Sequence, residues 1–382
     1  MGAIGLRRAL GAALAVAAAH LIFASCEGAP APGRRSAITE REARGPGLID
    51  EVITSRGILQ TNSDLDAGLI SAAQEGNLEE VQRLLEQGAD IEATNSAGAT
   101  PLIEASYGGH IEVVRHLLGG PRVQGANVSA QDALGFSSLH CAAQEGYLVI
   151  AKDLLVAGAP VEQVTVRGST PLLLAAQGGQ LPLVKELLQA GANPGLVDRD
   201  GATPLYKAAQ EGHREVAKNL LEAGADVEGG IAKRKVTPLI VAAQAGHLNV
   251  VEELISRGAN VGARDISGVT ALHVSPVMLA TDGELTGKLV AHGADPTLPD
   301  GADNQPLHWA AEFGNKAAAE VLLRAGADGD ARSGDGRLPH ELVCICTEVD
   351  PTLEAALTCD KGACSKKDTA SLKKFFKNAE QG

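Results

Sequence analysis

Cysteine is the residue type with the clearest capacity for chemistry in this chain, and it is concentrated near the C-terminus. Four of the six cysteines fall between positions 344 and 364, as Cys344, Cys346, Cys359 and Cys364. In an oxidising compartment they can form two disulfides, with three possible pairings. In a reducing one they either bind zinc, for which Cys-x-Cys…Cys-x₄-Cys is an unusual ligand spacing, or stay as free thiols. The sequence leaves these three alternatives open.

Catalytic signatures are missing from the sequence. It contains no Gly-x-Ser-x-Gly, no His-Glu-x-x-His and no phosphate-binding loop ending in Gly-Lys-Ser/Thr. His140, His273 and His308 lie far apart in the sequence, and none has a second potential metal ligand nearby. We therefore interpret them as hydrogen-bonded structural histidines. The sequence predicts a protein that is not an enzyme and that uses no cofactor.

The sequence around the histidines predicts pairs of short helices. Thr203 is a good helix N-cap, Pro204 suits the first helical position, and Leu205 begins an apolar helical face. Gly212 and Gly224 are placed to end a first and a second helix. Neither helix is long enough to be stable alone in water, so the pair must stack against copies of itself.

Copies of this unit extend along most of the chain. The leucines in register are Leu69, Leu102, Leu139, Leu172, Leu205, Leu239, Leu272 and Leu307. Successive differences between these positions are 33, 37, 33, 33, 34, 33 and 35 residues. With motifs such as Thr170-Pro171-Leu172 and Leu84-Leu85-Glu86-Gln87-Gly88-Ala89, the chain resembles the ankyrin-repeat family from about residue 64 to 337. The resemblance implies an all-α solenoid of stacked helix-turn-helix units with β-hairpin fingers, used as a protein-binding surface.

Composition limits the kinds of partner. The formal net charge is −14, which argues against nucleic acid as the main partner. Aromatic residues make up only 2% of the chain, which argues against base stacking as well. We therefore expect a protein partner, of unknown identity, and no nucleic acid.

Basic residues recur at successive predicted hairpin tips. They are Arg167, Arg199, Lys233, Arg234, Lys235 and Arg264. In so acidic a chain, this row favours contact with an acidic partner, and a solvated surface is the alternative. The other candidate partner-binding residues are Tyr107, Lys207 and Trp309. Trp309 either serves as an exposed anchor on the concave face, since Trp is favoured at binding hot spots, or packs against the seventh repeat.

Two further features of the repeats have alternative interpretations. A glutamine recurs near the end of the first helix, at Gln74, Gln144, Gln177, Gln210 and Gln244. These glutamines form either a polar stripe for binding or a hydrogen-bonded ladder between adjacent repeats. In the seventh repeat, Pro276 falls inside the first helix and should kink or end it. That break is either a hinge or binding bulge, or a tolerated insertion.

The ends of the chain differ from the repeats. Residues 1–26 are predicted to be a targeting segment: a signal peptide, an anchor or a transit peptide. A linker rich in Gly, Pro and Arg follows at 27–63, then repeats one to eight at 64–333, and a degenerate capping repeat with a Cys- and Lys-rich tail at 334–382. Membrane contact is expected only through residues 9–24, if they stay uncleaved. Secretory or membrane-anchored localisation is favoured, with organelle import and cytoplasm as alternatives.

The sequence thus predicts an interaction adaptor that binds its partner through hairpin tips and concave helices. The alternative function is a scaffold that carries a redox- or zinc-responsive Cys-rich module at its C-terminus.

Overall fold

The computed structural model describes residues 62–119, 125–277 and 283–342 of the chain. The helices of these residues come in pairs, and each pair is one repeat. In order they are α1 (Asn62–Glu75), α2 (Leu78–Glu86), α3 (Pro101–Gly108), α4 (Ile111–Gly119), α5 (Ser138–Glu145), α6 (Leu148–Val156), α7 (Pro171–Gln177), α8 (Leu181–Gln189), α9 (Pro204–Gln210), α10 (Arg214–Glu222), α11 (Pro238–Gln244), α12 (Leu248–Ser256), α13 (Ala271–Val274), α14 (Glu284–Ala291), α15 (Pro306–Glu312), α16 (Lys316–Arg324) and α17 (Pro339–Leu342).

Thr-Pro pairs begin the first helix of the regular repeats. Thr203 has an extended backbone, and its Oγ1 accepts a hydrogen bond from the amide of Tyr206 at 3.1 Å. Thr100, Thr170 and Thr237 cap α3, α7 and α11 in the same way. The proline that follows has no N–H to leave unpaired in the first turn. The N-caps predicted from the Thr-Pro motif are confirmed.

Glycines end the helices in a conformation that other residues rarely adopt. Gly212 and Gly224 have φ angles of 80° and 91°. A Cβ added at Gly212 would lie 2.6 Å from Nδ1 of His247 in the next repeat. Glycine is required at this position both for the left-handed backbone and for the close approach of the neighbouring repeat.

One continuous apolar core runs through the described repeats. Leu205, Ala208 and Leu220 are fully buried, and the same positions are buried from repeat to repeat. First helices pack on first helices of the next repeat, and most second helices pack on second helices. Stability therefore comes from contacts between neighbouring repeats, as expected of a solenoid.

We call the turns that connect the second helix of one repeat to the first helix of the next the fingers. In the described ranges they contain no β-strand, and their β-pairing is a single isolated bridge between Ile231 and Val236. The predicted hairpins are therefore short turns. Adjacent fingers are joined through the backbone, as where the amide of Arg199 donates to the carbonyl of Arg167 at 2.8 Å.

The seventh repeat is interrupted where the sequence predicts. Helix α13 has only four residues, and a 3₁₀ turn at Ser275–Val277 follows it. Pro276 ends the helix because it supplies no amide hydrogen and its ring crowds the preceding turn. Hydrogen bonds from both sides stabilise the interruption. Ser275 Oγ lies 3.0 Å from the hydroxyl of buried Thr286, and Asn315 Nδ2 donates to the carbonyl of Pro276 at 3.1 Å.

The remaining predictions on the ends of the chain are not tested by the structure. The targeting segment, most of the linker and the Cys- and Lys-rich tail with Cys344, Cys346, Cys359 and Cys364 lie outside the described residues. Of the helices that the structure describes, none combines the length and the apolar character needed to cross a membrane. Helix α17 packs on α15 and lies in the predicted capping repeat.

Candidate protein-binding surface

Aspartate or asparagine side chains organise most of the fingers. Asp198 Oδ1 accepts hydrogen bonds from the amides of Asp200 and Ala202, at 3.0 and 2.8 Å. The same arrangement is made by Asn95, Asp132, Asp265 and Asp300. This local hydrogen bonding fixes the turn without strand pairing, as Asx turns do.

The basic residues of the fingers have different environments. Arg167 and Arg199 are exposed on adjacent fingers, whose backbones are hydrogen-bonded directly to each other. Lys233, Arg234 and Lys235 are exposed together on one turn, residues 231–236, which we call the basic finger.

Arg264 is tied to its own neighbourhood instead. Its Nη2 donates to the carbonyl of Pro299 in the next repeat at 2.7 Å. This guanidinium therefore joins two repeats, although the residue as a whole remains exposed.

Large apolar side chains lie exposed among these basic residues. Leu134 and Ile266 are each 64% exposed. The others on the fingers are Val164, Val166 and Val197. We call the apolar and basic set the fingertip strip: Leu134, Val164, Val166, Arg167, Val197, Arg199, Lys233, Arg234, Lys235 and Ile266.

Sequence reasoning missed the apolar half of the fingertip strip. Its signal was present, because Val166 and Ile266 each directly follow the residue that starts the turn. Such side chains belong to the finger and not to a helix, so no apolar helical face accounts for them. A contiguous mixture of apolar and basic exposed side chains is typical of an interaction surface.

The candidates on the first helices are partly engaged within the chain. Tyr107 on α3 is 37% exposed, and partial burial together with nearby Glu145 raises the pKa of its hydroxyl. The Lys207 side chain is only 16% exposed, and its Nζ lies 3.8 Å from Oδ2 of Asp198. Lys207 therefore stabilises the turn that Asp198 organises.

Trp309 is half-buried and takes the second of the two predicted roles. Its indole N–H donates to Oδ2 of Asp300 at 3.0 Å. Its ring lies edge-on to His273 of the seventh repeat, at 6.3 Å between centroids, and is stacked with Phe313 at 6.1 Å. Of the two alternatives for Trp309, these contacts agree with packing against the seventh repeat.

Position in the repeat explains these internal contacts. In three repeats, the residue nine places after the start of the turn reaches back to that residue. The pairs are Asn95–Glu104, Asp198–Lys207 and Asp300–Trp309. The nine-residue spacing is visible in the sequence, but only the return of the chain after the turn brings the two ends together.

The recurring glutamines are linked to the next repeat through their backbone. His110 Nε2 pairs with the carbonyl of Gln74 at 2.9 Å, and His213 and His247 pair with Gln177 and Gln210 at 3.0 Å. A ladder between repeats therefore exists at three of the five glutamines. It is made by histidines and main-chain carbonyls, which the sequence analysis did not identify.

The three histidines predicted to be structural are buried within the stack. His140 Nδ1 accepts from the amide of Ser137 at 3.2 Å, and its Nε2 pairs with the carbonyl of Ser169 at 3.1 Å. Burial lowers the pKa of His140 to about 4, so the imidazole is neutral at pH 7. Burial also lowers the pKa of His273 and His308.

The described repeats contain no metal-binding group and no reactive cysteine. Within the three described ranges, no group of His, Cys, Asp and Glu side chains is arranged to hold a metal ion. Cys141 is buried, and burial raises the pKa of its thiol well above the usual range. This cysteine packs with Ala99 and Ile103 as a small apolar residue.

Comparison with known proteins identifies the family. The model for ankyrin repeats (3 copies) matches residues 69–165 and 139–231, and the model for a single ankyrin repeat matches 235–266 and 303–334. Together these matches span more than half of the chain. The protein belongs to the ankyrin-repeat family, and the prediction from the repeat period is confirmed.

A solved structure agrees with the fold. The ankyrin repeat domain of human ASB11 has a TM-score of 0.53 and 28% sequence identity, and the alignment covers 60% of this chain and 98% of that chain. The family matches and this solved structure both support an all-α repeat solenoid, of the kind that typically serves as a binding scaffold.

Curated relatives match over shorter segments. Probable E3 ubiquitin-protein ligase XBOS33 of Oryza sativa is 36% identical over 141 residues, 35% of this chain and 26% of that protein. Bovine ankyrin repeat and SOCS box protein 3 is 35% identical over 95 residues, 25% of this chain and 18% of that protein. Human protein phosphatase 1 regulatory subunit 27 is 40% identical over 77 residues, 20% of this chain and 49% of that protein. The chain therefore spans at most about half the length of these relatives.

Proposed function

We propose that this protein is a non-enzymatic adaptor whose fingertip strip binds an acidic protein segment that also bears apolar side chains. The observation that carries the proposal is the alternation, along adjacent fingers, of exposed Leu134, Val166 and Ile266 with exposed Arg167 and Arg199. The apolar members supply buried area when a partner covers them, and the basic members select its charge.

The rest of the surface contributes less to this proposal. Lys207 and Trp309 are engaged with Asp198 and Asp300, which leaves Tyr107 as the exposed aromatic candidate on the first helices.

 We place Tyr107 at the edge of the proposed contact, on a helix that follows a finger. The concave helices then support the fingers more than they bind the partner.

The relatives do not supply the partner's identity. One is named as a probable ubiquitin ligase and another as a phosphatase regulatory subunit, so the names indicate different functions. Partner choice in a repeat protein depends on surface positions that vary between repeats. We therefore define the partner by charge and apolar content alone.

A second candidate function rests on the C-terminal cysteines. Cys344, Cys346, Cys359 and Cys364 would make the tail a redox- or zinc-responsive module on the repeat scaffold. These residues lie outside the described part of the chain, so the proposal depends on sequence alone. Zinc content and free-thiol titration of the purified full chain test it, and zinc-free protein with four freely reactive tail thiols would contradict it.

Site-specific photocrosslinking tests the adaptor function. The photoreactive residue p-benzoylphenylalanine replaces Val166 in the fingertip strip, and in a matched control it replaces Val156, which is 89% exposed on α6. In cells that make the protein, we expect the Val166 position to capture one predominant protein through a segment rich in Asp and Glu. The Val156 position should not capture it. Equal capture at both positions, or a captured segment without net negative charge, would refute the proposal.

A further inference from the structure

The basic finger is built differently from the other fingers. Five fingers start their turn with Asn or Asp, whose side-chain oxygen accepts from the amide two residues later. The basic finger starts with Ile231, which has no such oxygen, and contains one more residue than its neighbours. The turn closes instead through the backbone, with the amide of Arg234 donating to the carbonyl of Ile231 at 3.0 Å.

A second hydrogen bond is also missing at this finger. In six fingers, the amide directly after the residue that starts the turn donates to a carbonyl of the preceding finger. The corresponding amide in the basic finger is that of Ala232. No described residue accepts from it, and none accepts from the amide of Lys233. Both residues are exposed.

These two amides lie beside a concentration of positive charge. Lys233, Arg234 and Lys235 are consecutive and exposed. Lys235 has a φ of 53°, a left-handed backbone that a residue with a side chain rarely adopts. The amides of Arg234 and Lys235 donate within the turn, to the carbonyls of Ile231 and Ala232, so the amide of Lys233 is the one beside these side chains that has no acceptor among the described residues.

The neighbouring fingers show what fits the amide that corresponds to that of Lys233. There, an aspartate of the chain itself supplies the oxygen, as Asp265 does at 2.8 Å from the amide of Ser267. In the basic finger the turn begins with Ile231, which has no side-chain oxygen, and the three consecutive residues 233–235 are all cationic and exposed. An external oxyanion would complete the turn as aspartate does elsewhere.

We propose that the basic finger is a binding site, which we call the phosphoryl seat, for a phosphoryl group on the partner, bound by the amide of Lys233 and by the Lys233, Arg234 and Lys235 side chains. A phosphorylated side chain carries close to two negative charges and three acceptor oxygens. A carboxylate has one charge and two oxygens, which the amide and three cations would outnumber. This inference rests on the proposed function and specifies one contact within it.

Amide NMR of the full chain tests the seat directly. The protein is labelled with ¹⁵N-lysine, and the Lys233 signal is assigned by its loss in Lys233→Arg. The probes are two capped tripeptides, Gly-phosphoserine-Gly and Gly-Glu-Gly. We expect a saturable shift of the Lys233 amide, with the phosphopeptide binding roughly tenfold more tightly than the Glu peptide. The amides of Lys152 and Lys185, on outer helices, should not move.

One substitution separates the amide seat from a diffuse basic patch. Ile231→Asp supplies the missing carboxylate and keeps all three basic side chains, so it should abolish the phosphopeptide shift at Lys233. Val197→Asp adds the same charge to the preceding finger and should weaken binding much less. Urea unfolding of both variants verifies that they are folded.

Other results would overturn the inference. A shift shared by all lysine amides, or none at Lys233, would exclude the seat, and equal affinity for the two peptides would exclude a phosphoryl preference. Crosslinking at Val166 to an acidic partner would still support the adaptor function in either case. Each of the two proposals can therefore be refuted without refuting the other.

Discussion

The helical layer and the fingertip strip of the same repeats follow opposite rules. In the helical layer, Leu205 is fully buried, and buried His140 has partners on both ring nitrogens. In the fingers, Leu134 and Ile266 are mostly exposed, and the amides of Ala232 and Lys233 have no acceptor in the described part of the chain. The difference shows that stability and recognition occupy separate positions of one repeated unit.

This separation has a physical reason. A substitution in the helical layer removes contacts with two neighbouring repeats and leaves a cavity, so few residue types are tolerated there. A finger is fixed by hydrogen bonds of its own backbone and of one turn residue, which leaves the intervening side chains unconstrained. Substitutions in the two regions should therefore affect different measurements.

Leu205→Ala should have the largest effect, since this side chain is fully buried between helices. We expect the free energy of unfolding to fall by roughly 2–5 kcal/mol. Val156→Ala is the matched control at an 89% exposed position and should change it by less than about 0.5 kcal/mol. Urea unfolding followed by circular dichroism measures both. Similar losses in the two variants would contradict the division between layer and surface.

Acid should weaken the helical layer through His140. Its pKa is about 4 in the folded chain and about 6.5 when unfolded, so the unfolded chain binds the proton more readily below pH 6.5. Stability should therefore fall as the pH decreases from about 6.5 towards 4, with a loss from His140 of about 2 kcal/mol at pH 5.

His140→Leu isolates this contribution, because Leu173 occupies the same position in the next repeat. The variant should lose less stability between pH 7 and pH 5 than the unmodified chain in urea unfolding. An identical pH dependence would show that His140 is not responsible.

Charge reversal at the basic finger should affect binding and leave folding intact. Lys233→Glu/Lys235→Glu should weaken affinity for the protein captured at Val166 by about tenfold or more, equivalent to about 1.4 kcal/mol. The control, Lys185→Glu/Lys218→Glu, makes the same charge change on outer helices. Titration calorimetry gives both affinities. Equal weakening by the two variants would indicate only long-range charge attraction.

Lys235→Gly should have the smallest effect on stability. Glycine adopts the φ of 53° at this position without steric cost, but it also gives the unfolded chain more freedom. We expect a gain of about 0.5 kcal/mol in urea unfolding together with weaker phosphopeptide binding. A loss of stability would show that the lysine side chain supports the turn.

Much of the fold could be predicted because it depends on local contacts. Thr203 caps the helix that starts beside it, Gly212 takes the left-handed conformation near that helix's end, and Pro276 ends α13 in its own turn. Each of these effects operates within a few residues, so residue type and spacing are sufficient. The finger conformation was less predictable, since side-chain hydrogen bonds replaced the expected hairpin strands.

The sequence by itself determined the repeat, its caps and the row of basic residues at the turns. Only the tertiary structure decided which of those side chains are available. Arg264 is tied to Pro299, 35 residues away, while Arg167 and Arg199 remain exposed side by side. The same stacking leaves the amides of Ala232 and Lys233 without an acceptor among the described residues. Such contacts depend on how successive repeats are placed against each other, and residue spacing within one repeat does not encode that placement.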